Sequence, residues 1–263
     1  METIPGLDAV LFDLGNTLIS FTPRDSMEFV LKWYYATPGL EDRVSINEFL
    51  HAFRTVVVRE RKRMLQEPWE TSVITRSKMI EDELDDGSNG MKGISVVLSS
   101  THTGAFASCL RMNSNARHVL DVLSSSENDE GNPIKLGLIS NAGDGAALRT
   151  FLAENDLEGY FGSIIISGEI GYAKPWPEIF HRCLAEIGAD PGRSVYVGDR
   201  YIVDVEGSRK AGMNPVYIRQ YHTSGEPPEG MQIDAPTIDH LLDLIPLLEN
   251  SGAFKVQDPP ANP

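Results

Sequence analysis

Six polar side chains could do chemistry together if the fold brought them to one point: Asp13, Ser140, Asn141, Lys174, Asp199 and Asp204. Asp13 stands in the apolar run AVLFDL (9–14), and the small-residue turn Gly15-Asn16-Thr17 follows. Ser140 closes IKLGLIS (134–140) with Asn141 next, Asp199 closes SVYVGD (194–199) with Asp204 after it, and Lys174 lies in GYAKPWPEIF. A carboxylate at the end of a buried strand is costly unless something pairs with it. Three such acids converging would hold a divalent cation, and an all-oxygen set suits magnesium. The lysine, the serine hydroxyl and amides at tight turns would cradle an anion. Together they suit phosphoryl transfer to an aspartate. Taken singly, Asp13 reads as the end of a strand, Asp199 and Asp204 as helix caps, and Lys174 as a solvated lysine. The ordered set favours chemistry.

The elements that must position these residues are legible as short, β-rich, continuously apolar runs. AVLFDL, IKLGLIS, SIIIS (163–167), SVYVGD and PVYIR (215–219) have the pattern of strands buried on both faces of a parallel sheet. Helical stretches alternate with them over 145–155, 177–188 and 204–213, with Pro177 placed to start one helix and Gly188 to end it. The expected fold is a doubly wound α/β sheet, which binds ligands at the carboxyl ends of its strands. One gap, residues 15–133, is far longer than a crossover needs. It reads as an inserted helical domain over 21–112, with the core comprising 1–20 and 113–263. Ser45–Glu48 is a capping box ahead of Phe49, Leu50, Phe53 and Val57, in a helix expected to run to Pro68. Asp25 or Ser26 would cap an earlier helix, and Val73–Leu84 is a third. The polar stretches 85–93 and 124–133 read as mobile loops.

Net charge of −15 and a pI of about 4.8 argue against a nucleic-acid surface. No apolar run approaches the ~18 residues of a membrane helix. The start METIPGLDAV lacks the form of a signal peptide. Cys109 and Cys183 are far apart and read as free thiols, so a soluble, cytoplasmic protein is expected. RERKR (59–63) reads as a solvated helix face, His181 as structural and Cys183 as a small buried hydrophobe. Met27, Trp33, Tyr34 and Tyr35 could line a pocket, although aromatic residues at helical spacing are more often core.

With these strings in hand the chain resembles the haloacid dehalogenase superfamily, whose members are mostly magnesium-dependent phosphatases. LFDLGNTL, LISN, the lysine of AKPWPEIF, and VGDRYIVD stand in the order of that family's four motifs. The resemblance covers residues 7–20 and about 115–245, while the insert matches only by position, where the family's helical C1 cap lies. It implies that Asp13 is a nucleophile forming an aspartyl-phosphate, and that Ser140 with the N–H of Asn141 binds a phosphoryl oxygen. It implies that Lys174 offsets the repulsion between Asp13 and an anionic substrate. Asp13, Asp199, Asp204 and the carbonyl of Gly15 would hold Mg²⁺, Asp204 either directly or through water. The substrate implied is a small phosphorylated metabolite.

Gly15 departs from that pattern. Active phosphatases of the family usually carry a second aspartate there, as general acid and base, a role worth ~10²–10⁴ in rate. Glycine leaves the metal site untouched and removes the proton shuttle. Two other readings therefore stand beside the phosphatase. One is a dehalogenase that uses Asp13 to displace halide, although such members carry an aromatic at position 15 and need no metal. The other is a non-catalytic binding protein on the same scaffold.

Overall fold

The structure, a computed structural model, describes residues 6–221, 227 and 232–252. The expected core's outer residues 1–5 and 253–263, and most of 222–231, lie outside the described residues. Numbered along the chain, the strands are β1 (Ala9–Phe12), β2 (Ile19–Ser20), β3 (Arg111–Met112), β4 (Lys135–Ser140), β5 (Ser163–Ile166), β6 (Ser194–Gly198), β7 (Asn214–Ile218) and β8 (Thr237–Ile238). Six of them form a parallel sheet in the order β5-β4-β1-β6-β7-β8. The chain winds outward from β1 through β4 to β5, then crosses to the other side of β1. That reversal beside β1 is where doubly wound sheets open a binding crevice. Phe12 is in register with both Leu138 and Val197, so the carboxyl ends of β1, β4 and β6 emerge side by side.

Both faces of this sheet are covered, which is why its strands read as unbroken apolar runs. Val10, Phe12, Leu138 and Val197 pack under α5 (Ala116–Ser124), α6 (Gly145–Glu154) and α10 (Leu244–Asn250). Ala9, Leu11, Ile139 and Tyr196 pack under α8 (Pro177–Ile187), where Phe180 and Cys183 are fully buried. The β1 run ends its pairing at Phe12, so Asp13 is the first residue beyond the strand, not inside it. The short edge strand β8 was not legible; two paired residues give too little pattern. The helix expected over 204–213 is instead a wide π-type turn, Tyr201–Glu206, followed by α9 (Gly207–Lys210).

The insert holds α1 (Pro23–Ala36), α2 (Ile46–Met64), α3 (Val73–Leu84) and α4 (Ile94–Ala107), with its own core around Phe29, Trp33, Phe49, Val56, Ile80 and Leu98. β2 and β3 pair antiparallel where the chain enters and leaves it. The first helix is capped by Thr22, whose hydroxyl accepts from Asp25 N, and not by Asp25 or Ser26. The capping box at Ser45 and Glu48 is present, but α2 stops at Met64, short of Pro68. Trp33 stacks on Phe29 at 5.5 Å and donates Nε1–H to Leu98 O at 2.9 Å, so it belongs to the core with Tyr34, while Tyr35 is exposed. Both loops expected to be mobile carry internal hydrogen bonds. Asp86 accepts from Ser88 and Asn89, and buried Asn128 accepts from Glu130 and Asn132.

The helix α4 was not anticipated, because ISVVLSSTHTGAFA is rich in β-branched and hydroxyl residues and starts after Gly93 without a side-chain cap. A distant acid supplies what the sequence lacks: Glu81 of α3 accepts from Ser95 N at 2.8 Å. Burial alone would raise the Glu81 carboxyl, but the hydrogen bonds from Lys78 and Ser95 outweigh it and hold it at about 2, against 4.5 ordinarily. A depressed carboxylate stabilises the fold above its unfolded pKa and ceases to as pH falls through the folded one. Glu81→Gln is therefore expected to cost ~1–2 kcal/mol at pH 7, in the range of a lost N-cap. Thermal melts should show that deficit shrinking as pH falls from about 4.5 towards 2.

Candidate active site

Asp13 leaves β1 beside the end of β6, its N–H donating to Val197 O at 2.8 Å. Lys174 reaches it from the loop before α8, where Asn141 holds the lysine backbone from both sides. Asn141 Nδ2 donates to Lys174 O at 2.8 Å, and Lys174 N donates to Asn141 Oδ1 at 2.9 Å. The Lys174–Pro175 peptide that follows is cis. The fully buried ammonium donates to Asp13 Oδ1 at 2.6 Å, to the Tyr196 hydroxyl at 2.7 Å and to Ile139 O at 3.0 Å. Its three N–H groups are thereby used. Asp204 Oδ1 lies 2.8 Å away, so the same ammonium is ion-paired with a second buried carboxylate.

The charges are unbalanced. One oxygen each of Asp13, Asp199 and Asp204 lies within 4.8 Å of the others, against a single ammonium. Burial, helped by the Asp204 charge, outweighs the lowering by Lys174 and raises the Asp13 carboxyl to about 6. Asp199, half-buried, is pushed well above the carboxylate range by burial and by the charges of Asp13 and Asp204. For Lys174 burial acts downward, but Asp13 and Asp204 hold its pKa above the ordinary value. Three crowded carboxylates against one ammonium fit a hard divalent cation.

The six chemical residues of the sequence reading are thus brought together. Asp13, Ser140, Asn141, Lys174 and Asp199 line one cavity of about 740 Å³ with Gly15, and Asp204 lies behind it against Lys174. Gly15 does not have positive φ, and a Cβ there would meet only Asp13 Oδ2, at 4.0 Å. Two site residues were missed. Tyr196 faces α8 from mid-strand and supports the lysine, and no local pattern marks it. Gly198 is the other: a Cβ there would fall 2.5 Å from Asp204 Cβ and Cγ. The glycine preceding Asp199 in an otherwise apolar strand was the available signal.

The insert closes over this cavity. Glu70 N donates to Gly171 O at 2.9 Å and Ala173 N to Pro68 O at 2.8 Å, so the α2–α3 loop is bonded to the core. A Cβ on Gly143 would lie 2.2 Å from Thr71 O, so that position admits only glycine at this approach. On α4, His102 Nδ1 and Thr103 Oγ1 both donate to Asp144 Oδ2 at 2.8 Å, while Asp144 Oδ1 caps α6 through Ala147 N. Burial lowers the His102 pKa, keeping the ring neutral at pH 7. Met27 lines the cavity. His181 is structural, with Nε2 donating to Ala211 O at 3.0 Å. Both cysteines are free and buried, and burial pushes the Cys183 thiol up to about 12.

The charged run 59–63 is only partly a solvated face. Arg59 pairs with Glu83 and Glu60 with Arg76, and Arg61 and Lys62, both exposed to solvent as expected, line the open side of the cavity.

Comparison with known proteins follows this geometry. Residues 7–212 match the haloacid dehalogenase-like hydrolase family, and the chain belongs to it. It is 38% identical over 88 residues to a glyceraldehyde 3-phosphate phosphatase of Methanopyrus kandleri, covering 33% of this chain and 36% of that protein. It is 30% identical over 118 residues to the N-acylneuraminate-9-phosphatase of Rattus norvegicus, covering 44% and 46%. The match thus spans less than half the length of either curated relative. Among solved structures, a HAD hydrolase of Bacillus subtilis with bound magnesium has a TM-score of 0.67 at 17% identity, covering 92% of this chain and 99% of that one. A 2-haloacid dehalogenase of Pseudomonas syringae has a TM-score of 0.64 at 17% identity, covering 93% and 99%. Both show the shared fold. No helix among the described residues is long and apolar enough to cross a membrane.

Gly198→Ala is expected to displace Asp204. Overpacking of this kind costs ~1–3 kcal/mol. Thermal melts with added magnesium should show the variant less stable and less protected by the cation than the parent.

Proposed function

We propose that this protein is a magnesium-dependent phosphatase acting on a small phosphorylated metabolite through an aspartyl-phosphate at Asp13. The observation that supports it most is the cluster of Asp13, Asp199 and Asp204, three carboxylates around one ammonium. Asp13, Asp199, Asp204 and the Gly15 carbonyl would hold the ion. Bound there, magnesium supplies positive charge against the crowded carboxylates and the phosphoryl oxygens.

Lys174 occupies Asp13 Oδ1, leaving Oδ2 towards the Gly15 turn. Asp13 attacks phosphorus: a carboxylate O–P bond forms, and the P–O bond to the leaving group breaks with its electron pair passing to the leaving oxygen. The Ser140 hydroxyl and the Asn141 N–H receive a phosphoryl oxygen, and Lys174 offsets the repulsion between two anions. Water then attacks phosphorus, returning the Asp13 carboxylate and releasing inorganic phosphate. With glycine at position 15, neither proton transfer has a carboxyl partner from this motif. The bonded α2–α3 loop and the His102–Asp144 contact help exclude bulk water. The intact Asp199–Asp204 pair weighs against halide displacement, which needs no cation.

Asp13→Asn keeps the shape and removes the nucleophile. Hydrolysis of an aryl phosphate should fall by on the order of 10³-fold or more, and excess chelator should abolish it in the parent. Equal turnover by the variant, or full activity without metal, would exclude this function.

Leaving groups give a second measurement. Without an acid at position 15, rates should fall steeply as leaving-group pKa rises, so aryl and acyl phosphates outrun alkyl esters. A Cβ at position 15 meets nothing closer than Asp13 Oδ2 at 4.0 Å, and Gly15→Asp should raise alkyl-ester turnover more than aryl turnover, within the ~10²–10⁴ ceiling of acid–base catalysis. A flat leaving-group dependence in the parent would place the proton donor elsewhere.

A further inference from the structure

Every residue of the loop between β4 and α6, Asn141 to Asp144, is tied to the insert. Asn141 Nδ2 donates to Met64 Sδ at 3.3 Å. Ala142 N donates to the Ser167 hydroxyl at 2.8 Å, which donates onward to Glu70 Oε2 at 2.6 Å. Thr71 O fills the space beside Gly143 where a Cβ would be. Asp144 Oδ2 accepts from His102 Nδ1 and from Thr103 Oγ1, both at 2.8 Å. Ser167 is a buried core residue, whereas Met64, Glu70, Thr71, His102 and Thr103 belong to the insert. His102 is only 3% exposed, with the rings of Phe29, Trp33 and Phe106 centred 5.1, 4.9 and 5.7 Å from its own. The insert's own core therefore fixes where this imidazole points. Asp144 passes the support on, because its Oδ1 caps α6 through Ala147 N at 3.0 Å.

The cation cluster is held differently. Lys174 pairs with Asp13 and Asp204, and Arg200 N donates to Asp204 Oδ2 at 2.9 Å, all from the core. Two halves of one site thus rest on different parts of the chain. We infer that the insert clamps the anion loop, with His102 and Thr103 as positioning residues that act through Asp144 on Ser140 and the Asn141 N–H. Firm binding of a phosphate-like anion then requires the insert to be seated, whereas binding of the cation does not. This deepens the phosphatase reading and rests on it for the role of Ser140 and Asn141. A cradle already in place binds more tightly than one that must be ordered on binding. By linkage, seating of the insert and binding of the anion favour each other by the same factor.

Two readouts on the full chain test the clamp, the first without any ligand. Hydrogen exchange of the amides of 142–147, followed by NMR, should be ~10-fold or more faster in His102→Leu than in the parent, as fits loss of a hydrogen bond to a carboxylate. The Asp13 amide and those of β6 should keep their parent rates. Thr103→Val removes the other donor with little change of shape and should loosen the same amides. In His102→Asn the side-chain amide can replace Nδ1 as donor, and protection should return to within ~3-fold of the parent. Calorimetry with inorganic phosphate at fixed free magnesium should show affinity ~10-fold weaker in His102→Leu and recovered in His102→Asn. Magnesium affinity without phosphate should change by less than ~2-fold, as expected of independent sites. Parent exchange rates in both His102→Leu and Thr103→Val, acceleration shared equally by β1 and β6, or phosphate affinity retained where the loop has loosened would overturn the clamp. A parent that binds no phosphate would count against the phosphatase reading, and the exchange rates would still decide the clamp.

Discussion

The ammonium of Lys174, buried between Asp13 and Asp204, is the interaction on which the rest of the site depends. A buried charge is retained only where its surroundings return what desolvation costs. Here the return is spread over three structural sources: the end of β1 through Asp13, the end of β4 through Ile139 O, and mid-β6 through the Tyr196 hydroxyl. Asn141 then fixes the lysine backbone, so the side chain's reach is set from both ends. A parallel sheet of this winding can supply such convergence because neighbouring strand ends emerge at one level. The ammonium does not complete the balance, and the remaining negative charge makes the site receptive to a cation.

The second constraint is closeness of approach. Asp204 reaches the cluster from the wide turn after β6 only because Gly198 has no side chain in its way. The insert reaches the core in the same manner, Thr71 O resting where a side chain of residue 143 would be. These two contacts position unlike things, a carboxylate and a loop, by the same absence of a Cβ. Between them the cavity is bounded by the strand-end residues below and by α2 above.

Most of the core was readable because its signals are local. Strands buried on both faces must be apolar throughout, and Pro177 and Gly188 mark the ends of α8 by backbone chemistry alone. The chemical residues were readable as a set, since polar groups at successive strand ends have few structural uses. The less legible elements depend on distant partners. The helix α4 takes its N-terminal support from Glu81 on another helix, and its own sequence argues weakly for a helix. The run 59–63 carries no mark of which charges are paired, because that depends on where α3 lies to neutralise Arg59 and Glu60.

By itself, then, the sequence determined the alternation of strands and helices and marked six polar residues near the strand ends as candidates for one site. Each follows from residue type and spacing along the chain. Only the tertiary structure decided that Asp13 lies just beyond its strand and that Lys174 is shared between two acids. It also decided that Gly15 has room for a side chain, and that Arg61 and Lys62 line the cavity. The meeting of Asp13, Ser140, Lys174 and Asp204 depends on distances between segments 30 or more residues apart. Burial and charge balance at such a meeting point are properties of the assembled set, and no single stretch of chain contains them.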